Sequence, residues 1–363
     1  MLRSFATAVP PLGALLRRYD GPGEPLSCEP VTLGLLNRGY RLSTTEGAYF
    51  LKHHLDGDHR AIARQHRVTQ RLQSLGVPVA PPVTDAHGET VAVIGGDCYA
   101  LHPWIDGRHR DGAHLSTLQC RRLGGLLGLV HTCLEQVMGR TEGDGPENGS
   151  GSATGAGSGN GSGNATGAAA GTAGYASADP EDTFTLIDEL LALVRAARHR
   201  DSFDLLAEHR LLERRTLLEL HADSRPPPAV AGGWVHGDFH PLNLLYRGAE
   251  PAAIVDWDRL GVQPRAEEAV RAAAIFFVQP EGALELTKVR AYARAYRHAV
   301  GADTSEIAAA VHRVWWERLN DFWILRWRYQ LNDRRADPQF AAVSALAVWW
   351  TREYEAVREA FAA

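Results

Sequence analysis

The feature that most restricts this chain is a polar cluster split across a short hairpin. His236-Gly237-Asp238-Phe239-His240-Pro241-Leu242-Asn243 is followed, thirteen residues after Asn243, by Asp256-Trp257-Asp258 at the end of an apolar run. Between them Leu244 to Tyr246 reads as a strand, Arg247-Gly248-Ala249-Glu250-Pro251 as a turn, and Ala253 to Val255 as a second strand. That hairpin returns Asp256 to the side of Asn243. An amide oxygen beside a carboxylate is a hard-donor pair of the kind magnesium takes. Asp238 is left to accept the proton of an attacking alcohol, with His236 bracing the loop. An Asp, an Asn five residues on and a second Asp after the next strand are the elements of phosphoryl transfer.

Two other readings use the same residues. Asp238 can cap a turn while His240 is satisfied by a carbonyl. Alternatively, the alternation of His236, Asp238 and His240 suits zinc, although no further His or Cys cluster sits nearby to complete its shell. Lys52 argues against zinc. The chain carries only two lysines, Lys52 and Lys288, and arginine supplies every other permanent side-chain cation. Lys52 ends the β-prone run Ala48-Tyr49-Phe50-Leu51-Lys52, where a compact ammonium can meet nucleotide phosphates.

The form HGDFHPLN with IVDWD resembles the aminoglycoside phosphotransferase family, which also includes choline, homoserine and other small-molecule kinases. The resemblance implies an α+β, protein-kinase-like bilobal fold with a small β-rich N-lobe and a larger, mainly helical C-lobe. On that pattern residues 1–24 are an N-terminal arm, 25–101 the N-lobe, 102–107 the hinge and 108–363 the C-lobe. It further implies ATP or GTP as co-substrate, Mg2+ on Asn243 and Asp256, and Asp238 as the catalytic base.

The stretch from Val31 to Leu42 resembles the family's phosphate-covering strand-turn-strand, which makes Asn37 a candidate nucleotide contact. The family places a glutamate on the following helix to pair with the strand lysine; Gln65 appears at that position, within a helix expected over Arg60 to Leu75. A neutral amide can hydrogen-bond an ammonium without neutralising it. Either Gln65 orients Lys52, another carboxylate replaces the glutamate, or activity is reduced. By the same resemblance, the His102 carbonyl and the Trp104 amide face the nucleotide base, with Leu101 behind it.

Residues 139–178 are almost wholly Gly, Ser, Ala, Asn and Thr, a composition that cannot offset chain entropy by burial, so a disordered insertion between two helices is expected. Met1 to Arg18 reads as a loose arm. Helices are expected over His114 to Met138, Thr183 to His199, Asp204 to His221, Ala269 to Val278, Ala283 to Ala299, Ser305 to Leu331 and Asp337 to Ala360. The aromatic-rich helix from Ser305 reads mainly as core, with Trp316, Asn320 or Trp323 as candidates to border an acceptor cleft through cation-π contact.

The short passage from Asp256 to Glu268 leaves no room for a long activation loop, which favours a small-molecule acceptor over a protein. A net charge of −5 without a basic block argues against nucleic acid as a partner. No segment reaches transmembrane length without a charge, and four cysteines without metal-ligand spacing read as reduced. The expectation is a cytoplasmic transferase of small-molecule alcohols with no nucleic acid, membrane or obligate protein partner, or else a catalytically weak or silent nucleotide-binding relative.

Overall fold

The computed structural model describes residues 10–31, 37–55, 57–139, 176–229 and 232–363. Residues 32–36, where the turn is expected, most of the expected insertion and the first nine residues of the expected arm lie outside them. In chain order the N-terminal elements are α1 (Leu12–Leu16), β1 (Pro25–Val31), β2 (Arg38–Thr44), β3 (Gly47–His54), α2 (His59–Ser74), β4 (Ala92–Ile94) and β5 (Asp97–Pro103). Next come α3 (Thr117–Met138), α4 (Pro180–Ala196), α5 (Ser202–Leu220), β6 (Gly233–Val235), β7 (Leu244–Arg247), β8 (Glu250–Ile254) and β9 (Gly261–Gln263). The chain closes with α6 (Arg265–Phe276), α7 (Leu286–Val300), α8 (Thr304–Asn320), α9 (Trp323–Gln330), α10 (Phe340–Arg352) and α11 (Tyr354–Ala362).

Two compact units emerge, residues 1–110 with 242–259, and 111–241 with 260–363. The first is built on an antiparallel sheet of order β1-β2-β3-β5-β4. Strand alternation places Tyr40, Leu42, Leu51 and Leu101 on one face, where α1 contributes Leu15 and Leu16 and Tyr19 follows. The expected loose arm is therefore part of this core from Leu12 onward, because its leucines cover a sheet face that α2 does not. On the opposite face β3 carries Phe50, Lys52 and His54. Helix α2 starts where Asp58 accepts the N–H groups of Arg60 and Ala61, a cap worth about 1 kcal/mol. The β7–β8 hairpin, expected in the helical lobe, groups with the sheet: Val79 bridges Ile254, and Arg108 bridges Tyr246.

The second unit is helical apart from the β6–β9 pair. Helix α3 begins with a reciprocal Ser116–Gln119 capping box and packs closely on α7. Contact is so close that a Cβ at Gly124 would lie 2.1 Å from the Tyr292 carbonyl oxygen. The single helix expected over Ser305 to Leu331 is two, since Asp321 is extended and its side chain accepts the Trp323 N–H at 3.1 Å, starting α9. The helix expected from Asp337 likewise divides at Glu353 into α10 and α11.

Candidate active site

In the sheet unit, five of the polar residues singled out by the sequence converge. Lys52 Nζ lies 2.7 Å from Asp256 Oδ1 and 2.7 Å from Asp258 Oδ1. Asn37 donates from Nδ2 to Asp258 Oδ2 at 2.5 Å while its Oδ1 accepts the Leu55 N–H at 3.1 Å. Gln65 donates from Nε2 to the Asp258 carbonyl at 3.1 Å, while two carboxylates stand against Lys52. Desolvation works against the charge on Lys52, but the two carboxylates outweigh it and hold the ammonium above the ordinary lysine value. Burial pushes the Asp258 carboxyl up, Asp256 adds to this, and Lys52 opposes both.

Asn243 is buried and closes the mouth of the hairpin, where the Val255 N–H donates to its carbonyl at 2.9 Å. One residue on, Asp256 adopts a left-handed backbone with φ of 59°, a conformation that short polar side chains tolerate. The hairpin before it and the Lys52–Asp258 pair after it fix that backbone, and buried Trp257 adds a bond from Nε1 to the Ile254 carbonyl at 3.1 Å. Asp256 keeps 47% of its side chain exposed against 28% for Asp258. Asp256 offers an accessible carboxylate and the hairpin brings its backbone close to that of Asn243, oxygen-donor residue types that fit the Mg2+ the resemblance implies.

Behind Lys52 lies a cluster of imidazoles. His66 and His102 meet edge to face at 5.6 Å between ring centres, and His54 and His66 at 6.1 Å. Desolvation, with a further contribution from Lys52, depresses His54 to about 3 and His102 to about 4, and these rings are neutral. His102 Nδ1 pairs with the Ala80 carbonyl at 2.9 Å. Trp104 stands apart from the Lys52 cluster: its ring lies under the Arg41 guanidinium at 4.9 Å, and its N–H donates to the Ala48 carbonyl at 3.1 Å. The β3–β5 register pairs Phe50 with His102, two residues along, so the His102 main chain faces β3 too. The His102 carbonyl and the Trp104 amide, expected to face the nucleotide base, are thus both turned toward β3.

In the helical unit His236 is fully buried, and its Nδ1 accepts the Asp238 N–H at 3.2 Å. The Asp238 carboxylate stays 30% exposed, with His240 Nε2 at 3.6 Å. Gly237, between them, takes φ of 84° and turns the chain so that consecutive amides point the same way. Those amides meet Glu268 of α6, which accepts Gly237 N–H on Oε1 at 2.5 Å and His236 N–H on Oε2 at 3.3 Å. His131 of α3 lies 2.7 Å from Oε2, and its other nitrogen is 3.1 Å from the Tyr296 hydroxyl. Burial would raise Glu268, yet His131, His236 and the Gly237 amide together hold it below the usual glutamate value.

Glu268 and His131 were missed in the sequence. A Glu-Glu pair inside the apolar turn Ala266 to Val270 was the available signal, as was a histidine one turn after Leu127 in a leucine stripe. Trp316 and Asn320 do not form an open acceptor surface: Trp316 is 1% exposed and donates to the Ala178 carbonyl, while Asn320 binds Thr183 and the Trp316 carbonyl. Trp323 lines a cavity of ≈ 20 Å³ beside Arg210, Arg214, Arg318 and Asp321. Among the described residues no group of three or more His, Cys, Asp or Glu is arranged to hold a metal ion.

The profile of the phosphotransferase enzyme family (APH) matches residues 27–309. The chain belongs to that family. None of the curated proteins matches significantly. Among solved structures, an aminoglycoside phosphotransferase from Alicyclobacillus acidocaldarius aligns at 14% identity and TM-score 0.56, covering 99% of this chain and 96% of the other. A microcompartment-associated aminopropanol kinase aligns at 16% identity and TM-score 0.56, over 95% of this chain and 97% of its own. Amicoumacin kinase, solved with AMP-PNP and Ca2+, gives 16% identity and TM-score 0.54 over 96% of each chain. At these identities the likeness is one of fold, and that fold is α+β and protein-kinase-like. Family membership supports phosphotransferase chemistry on the hydroxyl of a small molecule.

Proposed function

We propose that the protein transfers the γ-phosphoryl group of ATP or GTP to a hydroxyl of a small molecule, an aminoglycoside, amino-alcohol or natural-product alcohol. The observation that carries this reading is the Lys52 ammonium held 2.7 Å from two carboxylates, one of them next to Asn243 across a hairpin mouth. Lys52 holds nucleotide phosphates. Asn243 and Asp256 hold Mg2+, which when bound neutralises charge on the β- and γ-phosphates. The nucleotide and Ca2+ in the amicoumacin kinase structure support such a pairing.

Asp238 accepts the proton of the acceptor hydroxyl as its oxygen bonds to the γ-phosphorus. The bond to the bridging oxygen breaks, and its electrons leave with the nucleoside diphosphate. His236 positions Asp238 through the 3.2 Å bond to its amide. Asn37 and Gln65 act on the nucleotide indirectly, through Asp258. For the base, the Pro103 carbonyl replaces the groups first expected at His102 and Trp104, since strand alternation turns it away from β3. Most of the rate enhancement then comes from positioning and fixed charge.

We place the enzyme in the cytoplasm, without nucleic acid, membrane or obligate protein partner. Four free cysteines and a net charge of −5 support this, and among the described residues no helix is long and apolar enough to cross a membrane. The test is a panel of amino-alcohols, sugars and aminocyclitols with purified protein, read as nucleoside diphosphate release. Acceptor-dependent release that Asp238→Asn abolishes is expected, and release unaffected by that substitution overturns the assignment.

A further inference from the structure

We propose that Asp258 is the counter-ion that positions Lys52, in the place the family gives to a helix glutamate, and that Gln65 clamps Asp258 rather than being a weakened copy of that glutamate. This rests on the phosphotransferase reading above. Three elements converge on one residue: Lys52 from β3 and Asn37 from the approach to β2 meet the Asp258 carboxylate, and Gln65 from α2 meets its carbonyl. Asn37 is itself fixed by the Leu55 amide.

The two aspartates divide the work by environment. Asp256, the more open, has a left-handed backbone and adjoins Asn243, which suits a metal ligand. Asp258, the less open, has both carboxylate oxygens engaged, which suits a fixed partner for the ammonium. Lys52 therefore takes its orientation from the 256–258 turn, and α2 contributes a single neutral hydrogen bond.

The chemistry at position 65 then has a definite sign. An amide can donate to the Asp258 carbonyl, whereas a carboxylate has no proton to donate and would face that carbonyl oxygen with a second negative charge nearby. Restoring glutamate should harm the site. A relic of a lost glutamate would behave in the opposite way.

The experiment compares the full-length wild type with Asp258→Asn and Gln65→Glu. It reads binding of metal-free ADP by calorimetry, and KM for nucleotide and acceptor with kcat in the coupled assay. Asp258→Asn should weaken ADP binding and raise nucleotide KM about tenfold while acceptor KM stays put, a split that loosened packing alone would not give. Gln65→Glu should weaken ADP binding about threefold. If Gln65→Glu binds ADP more tightly or turns over faster than wild type, or if folded Asp258→Asn matches wild type, the proposal fails. A wild type that binds no nucleotide at all instead overturns the phosphotransferase reading.

Discussion

Glu268 in the helical unit and Asp258 in the sheet unit are each gripped from three directions, but by different kinds of partner. Glu268 is 2% exposed and accepts two main-chain amides, with the buried His131 against its Oε2. Asp258 is held by the ends of Lys52 and Asn37, on a side chain 28% open to solvent. Backbone donors inside a low-dielectric core fix a loop once, at folding. The loop that carries Asp238 is thus tied by main-chain donors within the core, whereas the Lys52–Asp258 pair is held by side chains at a partly open site.

Acid should break this contrast most severely. His54 and His102 are held far below the ordinary histidine value, to about 3 and about 4, mainly by desolvation and also by Lys52. Below about pH 6.5 the unfolded chain takes up protons that the folded sheet unit refuses, so stability is full above that pH and falls as the pH drops toward 4. The loss is on the order of 2 kcal/mol per ring at pH 5. Hydrogen exchange at pH 7 and pH 5 should show Leu51 and Leu101 amides losing protection well before Val270.

Next in size is Glu268→Gln. It removes a buried charge and puts a donor against donors, which should cost about 3 kcal/mol in denaturant unfolding followed by tryptophan fluorescence. Lys52→Met should separate the two regions in the other direction. Nucleotide affinity should drop about a hundredfold by calorimetry, while the unfolding midpoint shifts by no more than about 1 kcal/mol equivalent because the pair is partly solvated. Smallest of all, Ser116→Ala should cost about 1 kcal/mol through its lost cap, with no change in nucleotide KM.

What was legible in the sequence follows the same division. That Asn243 and Asp256 come close was readable because a hairpin of fixed length joins them, and Lys52 stood out as one of two lysines, at the end of a β-prone run. Helix α2 was placed within one residue, with Asp58 and Gly76 marking its ends. The partners chosen by tertiary contact were not readable. Nothing local says that Gln65 reaches Asp258, or that Glu268 rather than Glu267 faces the Gly237 amide. That the Trp104 amide faces β3 was not readable because strand parity depends on the β3–β5 register, which no single strand encodes. The Ser305 helix was drawn too long because its apolar period runs on through Asp321, and only the aspartate's side-chain bond breaks it.

The central claim is that this site moves a phosphoryl group onto an alcohol. It is tested most directly by following the label of a γ-labelled nucleotide with the accepting alcohol present. The account predicts label in a phosphomonoester of that alcohol for the wild type and none for Asp238→Asn. Label appearing only as inorganic phosphate, or equally in both proteins, would contradict it.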